Sequence, residues 1–165
     1  MRGGGALVDS PTVSTAPDEM IGTARYATQE IGRLDLDARL DLIAAGYKPI
    51  MAHVERYRWT ERSMPFIQNM ALAGVLMQVT AGSFFGDYGR SATELSTSLL
   101  DMGLVHVVAS DAHDVTRRPP GLSKARTFVE GARGVAEAEM IFSRRPELIL
   151  LGDQVAAHSR QGAVA

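Results

Sequence analysis

The sequence predicts a parallel α/β fold, and three observations predict it. Short apolar runs alternate with helix-like stretches, the best-defined helices stop at glycines, and dense polar clusters follow the ends of two apolar runs. Strands separated by helices and short connections are the pattern of βαβ units, whose consecutive strands pair side by side in parallel.

The elements follow in order. GALVD (5–9) reads as a short strand and SPTVSTAP (10–17) as turn material. Asp18 is placed to cap a helix running to about Thr28, and a second helix covers Leu36–Ala45 before Gly46. YKPIMAH (47–53) is a strand ending at His53, followed by a loop. Residues 61–73 are helical, with Pro65 tolerated in the first turn, and stop at Gly74. GVLMQVTAG (74–82) is the next strand, and SFFGDYG a loop. Residues 91–102 form a helix in which Ser91 and Glu94 have the spacing of a capping box. LVHVVAS (104–110) is a strand, DAHDVTRRPPG a polar loop, and helices follow over 122–132 and 134–143, with another short turn from Pro146. The tail from Ala156 is expected to fray.

Composition bounds what such a fold does. The chain has 165 residues, the size of one domain. Its 17 basic and 19 acidic side chains leave a net charge of −2, which gives no electrostatic case for nucleic acid or an anionic membrane surface. It has no cysteine, which excludes disulfides, thiolate metal sites and a cysteine nucleophile. With only four histidines, a metal site must lean on them and on carboxylates. No apolar run approaches the ~18 residues of a membrane span, and the start lacks the apolar segment of a signal peptide. A cytoplasmic protein is expected.

In parallel α/β folds chemistry collects at the carboxyl ends of strands. One strand ends in His53, followed by Glu55, Arg56 and Tyr57; another in Asp111 and His113, followed by Asp114, Arg117 and Arg118. Imidazoles and carboxylates suit divalent manganese, iron or zinc. Arginine forks suit phosphate oxygens. Metal plus arginine is a recipe for phosphoryl transfer to water, because the metal neutralises phosphoryl charge and lowers the pKa of water. A single strand-end histidine is most often a hydrogen-bonded structural group; two such clusters in the right topological place strengthen the functional reading. His106, flanked by apolar residues, is expected in the core, and His158 in solvent. Glu55 is expected to orient Arg56 or face solvent. Phe84 and Phe85 cover the site or simply pack, Met51, Met70 and Met77 fill the core, and Arg58, Arg62, Arg144 and Arg145 are expected on a solvated surface, with attraction of an acidic substrate the alternative.

Four strings carry a resemblance. AGYKPIMAHVERY (45–57), QVTAGSFFGDYG (78–89), ASDAHDVTRRPP (109–120) and RPELILLG (145–152) resemble, in order, motifs of the polymerase and histidinol phosphatase (PHP) superfamily. The branch they resemble is that of manganese-dependent bacterial tyrosine phosphatases of capsule and exopolysaccharide synthesis. The resemblance implies a distorted β/α barrel, of which residues 36–153 look like the C-terminal part, with 1–35 an N-terminal edge and 154–165 a flexible tail. It implies metal-ligand roles for His53, Asp111 and His113, and phosphate-binding roles for Arg56 and Arg118, with Arg117 a neighbour able to substitute. ALVDSP (6–11) resembles a family strand in which Asp9 stands for a ligand glutamate. Thr80 replaces a family asparagine. No histidine precedes His53, so the family's opening His-x-His motif is absent and the glycine-led start reads as a cut edge.

The implied function is metal-dependent hydrolysis of phosphotyrosine in proteins, with manganese (or iron or zinc) as cofactor. The implied partner is the tyrosine-rich tail of a bacterial tyrosine kinase. The alternatives are a catalytically incomplete fragment or phospho-partner binding module, and a small-molecule phosphomonoesterase of the same superfamily. A barrel cut in half leaves strand edges exposed, so a partner or a homo-oligomer is expected.

Overall fold

A computed structural model of the chain describes residues 23–24, 48–57, 63–116, 120–151 and 155. Four parallel strands are present among them: β1 (Thr23–Ala24), β2 (Ile50–Met51), β3 (Leu76–Thr80) and β4 (Val107–Ala109). They lie side by side in chain order. Thr23 stands beside Ile50, Ile50 beside Leu76, and Gln78 beside Val107. Helix α1 (Ser63–Leu72) connects β2 to β3, and α2 (Arg90–Asp101) connects β3 to β4. After β4 come α3 (Ser123–Arg133), α4 (Val135–Glu139), a π turn (Met140–Arg144) and α5 (Arg145–Leu150). The fold is thus the expected α/β arrangement with a parallel sheet.

All five residues of β3 are buried, the mark of a strand covered on both faces. Met51, Met77 and Val79 from the strands pack with Ile67 and Met70 of α1, Leu99 and Leu100 of α2, and Val129 of α3. The three methionines expected in the core are each at most 1% exposed. Gly74 and Gly103 adopt positive φ just after α1 and α2, where a left-handed residue turns the chain into the next apolar run.

Local signals misled at three places. The helix expected over Asp18–Thr28 is contradicted at Thr23–Ala24, which pair with β2; a partner 27 residues away in the chain, here Ile50–Met51, outweighs a capping residue. The Ser91–Glu94 capping box is not formed. The helix starts one residue earlier after Gly89, no side chain caps it, and Glu94 instead pairs with Arg90 at 2.6 Å. The loop after β3 is a 3-10 turn over Ala81–Phe85. The two helices expected over 122–132 and 134–143 are present, divided at Gly134 with φ 88°, and the continuation over Met140–Arg144 is a π turn. The expected strand 5–9, helix 36–45 and tail lie outside the described residues, as do Asp9, Arg58, Arg62, Arg117, Arg118 and His158.

Candidate active site

The carboxyl ends of β2, β3 and β4 converge on one polar cluster. After β2 the chain turns through Ala52 and His53 into a 3-10 turn, Val54–Arg56. His53 is left-handed, with φ 50° and ψ 42°. Asp111, just past β4, also has a positive φ, 53°. They are the two non-glycine residues with positive φ among those described. Such a backbone is disfavoured for residues with a Cβ and persists only where surrounding contacts impose it.

Those contacts are specific. The His53 amide donates to Gln78 Oε1 at 3.0 Å, and Thr80 Oγ1 lies 3.4 Å from His53 Nδ1. Arg56 N–H donates to the His53 carbonyl at 2.8 Å, closing the turn. The Tyr57 hydroxyl donates back to the Ala52 carbonyl at 2.8 Å. Val54 and Tyr57 are buried and anchor the turn in the core.

Asp111 joins the strand ends. Its Oδ2 accepts from Arg56 at 2.7 Å, while its Oδ1 lies 3.4 Å from His113 Nε2 and 4.0 Å from His53 Nε2. Arg56 is held from a second side by the Tyr88 ring, whose centroid is 4.2 Å from the guanidinium carbon. Asp111 is 12% exposed and His113 59% exposed, so the cluster runs from a nearly closed floor to an open mouth. Of the six residues predicted for the site, the structure brings together His53, Arg56, Asp111 and His113. Asp9 and Arg118 lie outside the described residues.

The donors are of the kind a borderline divalent metal takes, imidazole nitrogen and carboxylate oxygen. They fall short in number: among the described residues no group of three or more His, Asp or Glu side chains is gathered to hold a metal ion.

Two expectations are corrected. Glu55 neither pairs with Arg56 directly nor faces solvent. It is 2% exposed, and its Oε1 accepts from the Thr80 amide at 3.0 Å and the Ser83 hydroxyl at 2.7 Å. Burial pushes its carboxyl above the ordinary carboxylate range, and the Ser83 and Thr80 hydrogen bonds offset only part of that. Its Oε2 and the Nε2 of Gln78 are buried without a hydrogen-bond partner among the described residues. Arg145 is likewise not on the surface: it is 8% exposed and donates to Glu137 and to the Val105 carbonyl. Arg144 is exposed, as expected, and pairs with Glu147.

His106 is the core residue the sequence predicts, 2% exposed, its Nδ1 accepting from the Met77 amide at 2.9 Å. Phe84 and Phe85 pack on Phe128, with centroids 5.2 and 5.9 Å away. Sequence reasoning gave no role to Tyr88, Gln78 or Ser83. All three lie in the string 78–89 that carries part of the resemblance, and that string was the available signal.

Residues 29–151 match the model of the family described as "Capsular polysaccharide synthesis, CpsB/CapC". YwqE of Bacillus subtilis, named a tyrosine-protein phosphatase, is 33% identical over 110 residues, covering 67% of this chain and 43% of that protein. CpsB of Streptococcus pneumoniae, named likewise, is 28% identical over 116 residues, covering 67% of this chain and 48% of that protein. A crystal structure from the pair YwqE and CpsB, described as metal-dependent tyrosine phosphatases, superimposes with a TM-score of 0.66. It shares 30% identity and covers 72% of this chain and 48% of that one. The chain spans less than half the length of these relatives. No helix among the described residues is long and apolar enough to cross a membrane. The matched motifs, the parallel sheet and the superposition agree: the chain belongs to the CpsB/CapC family of capsular polysaccharide synthesis.

Proposed function

We propose that this chain supplies the C-terminal share of the active site of a metal-dependent protein-tyrosine phosphatase of capsule synthesis. The observation that carries the reading is the division of Asp111, one oxygen on Arg56 and the other facing His113 and His53. A phosphate-binding cation and metal-ligand side chains thereby share one carboxylate. His53, Asp111 and His113 would hold their part of a divalent metal, manganese foremost, with iron and zinc as alternatives. Asp9 is proposed as a further ligand and Arg118 as a second phosphate contact. The four-strand sheet is proposed as an arc of a distorted barrel completed by further chain or by a second copy.

When bound, the metal neutralises phosphoryl charge and makes water a better nucleophile. This chain's own work is positioning. Arg56, fixed between Asp111 and Tyr88, offers a preset guanidinium to two phosphate oxygens. The phosphorus–oxygen bond to tyrosine breaks as water's oxygen bonds to phosphorus, and the phenolate leaves and takes a proton. This chain offers no cysteine to form a phosphocysteine intermediate. The substrate is proposed to be phosphotyrosine in a protein, the tyrosine-rich tail of a kinase, in the cytoplasm.

The test is hydrolysis of a phosphotyrosyl peptide and of p-nitrophenyl phosphate with added Mn²⁺. Metal-dependent release of phosphate is expected, and its loss in the double variant Arg56→Ala, His113→Ala. Full activity in that variant sinks the site assignment. Faster turnover of small phosphates than of peptides points to a small-molecule phosphomonoesterase.

A second reading, a catalytically incomplete module that binds phosphorylated partners, rests on the shortfall of gathered ligands among the described residues. Phosphate binding without turnover supports it; two or more tightly bound metals in a monomeric chain argue against it.

A further inference from the structure

We infer that Glu55 is a positioning residue: it staples the turn bearing His53 and Arg56 to the Thr80–Ser83 segment and so sets Arg56 against Asp111. The inference rests on the phosphatase reading for its consequence, and on geometry alone for its structural part.

The turn needs an external hold. His53 sits in a left-handed conformation that costs energy, and a three-residue 3-10 turn has little hydrogen bonding of its own. Glu55 lies between the two functional side chains in sequence but points the other way, into the interior. There its Oε1 takes two donors at once, the backbone of β3's last residue and the hydroxyl of Ser83 in the following turn. Gln78, from the same strand, holds the His53 amide. The turn is thus tied to β3 on both sides of His53, and Arg56 is left to reach Asp111 at 2.7 Å and the face of Tyr88.

A buried carboxylate with one oxygen unpartnered among the described residues is a costly way to fill a core position. An apolar residue fills it more cheaply but accepts no hydrogen bond from Thr80 or Ser83. The chain runs on from Ser83 to Tyr88, whose ring lies beside the guanidinium. Glu55 touches neither phosphate nor metal in this assignment; it acts through Arg56.

The experiment compares the parent chain with Glu55→Ala, Glu55→Gln and Ser83→Ala. The first readout is the Arg56 side-chain Nε–H resonance and its exchange protection. The second is the dissociation constant for inorganic phosphate with Mn²⁺ present, and the third the KM and kcat for p-nitrophenyl phosphate. Glu55→Ala is expected to remove the protection of Arg56, to weaken phosphate binding about tenfold or more, and to raise KM more than it lowers kcat. Glu55→Gln keeps an acceptor oxygen and is expected to stay within about threefold of the parent. These fold-changes are on the scale of losing support for a binding group. A folded Glu55→Ala chain with parental Arg56 protection overturns the inference, as does Glu55→Gln failing as badly as Glu55→Ala. Should Glu55→Ala not fold, Ser83→Ala removes one of the two donors and must lower Arg56 protection; unchanged protection there also overturns it. If the parent neither binds nor hydrolyses phosphate, the phosphatase reading fails, while the Arg56 readout still decides the positioning role.

Discussion

The loops at the carboxyl ends of β2, β3 and β4 are built on different terms from the helical segment α3–α5. The first region holds both left-handed non-glycine residues among the described residues and, with β3 beneath it, both unpartnered buried polar atoms, on Glu55 and Gln78. In the second, charges are paired, mostly at the surface: Arg126 with Glu130 and Glu139, Arg144 with Glu147, and, nearly buried, Arg145 with Glu137. Both regions feed the same core. The difference is that the site region carries backbone strain and unmet polarity, which selection for stability alone removes. Strain at His53 and Asp111 is therefore a property of what those residues hold, not of how the sheet folds.

The strongest way to break this contrast is to relieve the strain. His53→Gly accepts φ 50° without penalty, and is expected to raise folding stability by up to about 1 kcal/mol. The same change removes an imidazole from the site and is expected to lower Mn²⁺-dependent phosphate release by about a hundredfold or more. Urea unfolding and a phosphate-release assay on one preparation measure both. A variant that loses stability shows that the left-handed turn is not strained and removes the basis of the contrast.

The next largest effect lies in the helical segment. Arg145→Ala strips Glu137 of its partner and leaves the Val105 carbonyl short of a donor. A loss of about 2–3 kcal/mol is expected, between the values for buried and surface pairs. Hydrolysis per folded molecule is expected to stay at the parental level. Lost activity with stability intact shows the segment to be part of the site.

A smaller effect is expected at the turn after β3. A Cβ on Gly82 clashes with Asp87 Oδ2 and meets Asp87 Cβ at 3.1 Å. Gly82→Ala is expected to cost about 1 kcal/mol. Adding Asp87→Ala removes the carboxylate and is expected to recover roughly half. A double variant as unstable as Gly82→Ala places the clash elsewhere.

How far the site was legible depended on the range of the interactions. His53 and Asp111 follow apolar runs that must be strands, and strand ends are where parallel sheets gather function, so local pattern sufficed. Asp111 as the partner of Arg56 was not legible: the two are 55 positions apart, and the nearer carboxylate, Glu55, competed for that role. Only the closure of β2 against β3 turns Glu55 inward. Arg145 was misplaced for the same reason, since its partners Glu137 and the Val105 carbonyl come from another helix and from the chain just before β4. Thr23–Ala24 show it for backbone, becoming a strand only because Ile50–Met51 lie alongside. The capping box failed on a local matter. Gly89, at φ 88°, starts the helix at Arg90, which puts Glu94 four residues on, within reach of the arginine.

The smallest expected effect sharpens the contrast from the side of pH. Arg126 donates to Glu139, and that hydrogen bond, the largest contribution, holds the Glu139 carboxyl below the ordinary carboxylate range. A carboxylate whose pKa is depressed on folding contributes stability that is fully present above its unfolded value. That contribution is lost as pH falls through the folded value. Glu139→Gln is therefore expected to reduce stability slightly at neutral pH and to flatten the acid limb of the stability profile. Because the pair is exposed at the surface, about 1 M salt is expected to shrink the difference. Urea midpoints for both proteins, from neutral pH down through the carboxylate range and at low and high salt, measure it. An effect that grows in salt, or a limb as steep as the parent's, shows that the pair is not an ordinary screened surface contact. The helical segment then loses its standing as the region where charge is met and strain is absent.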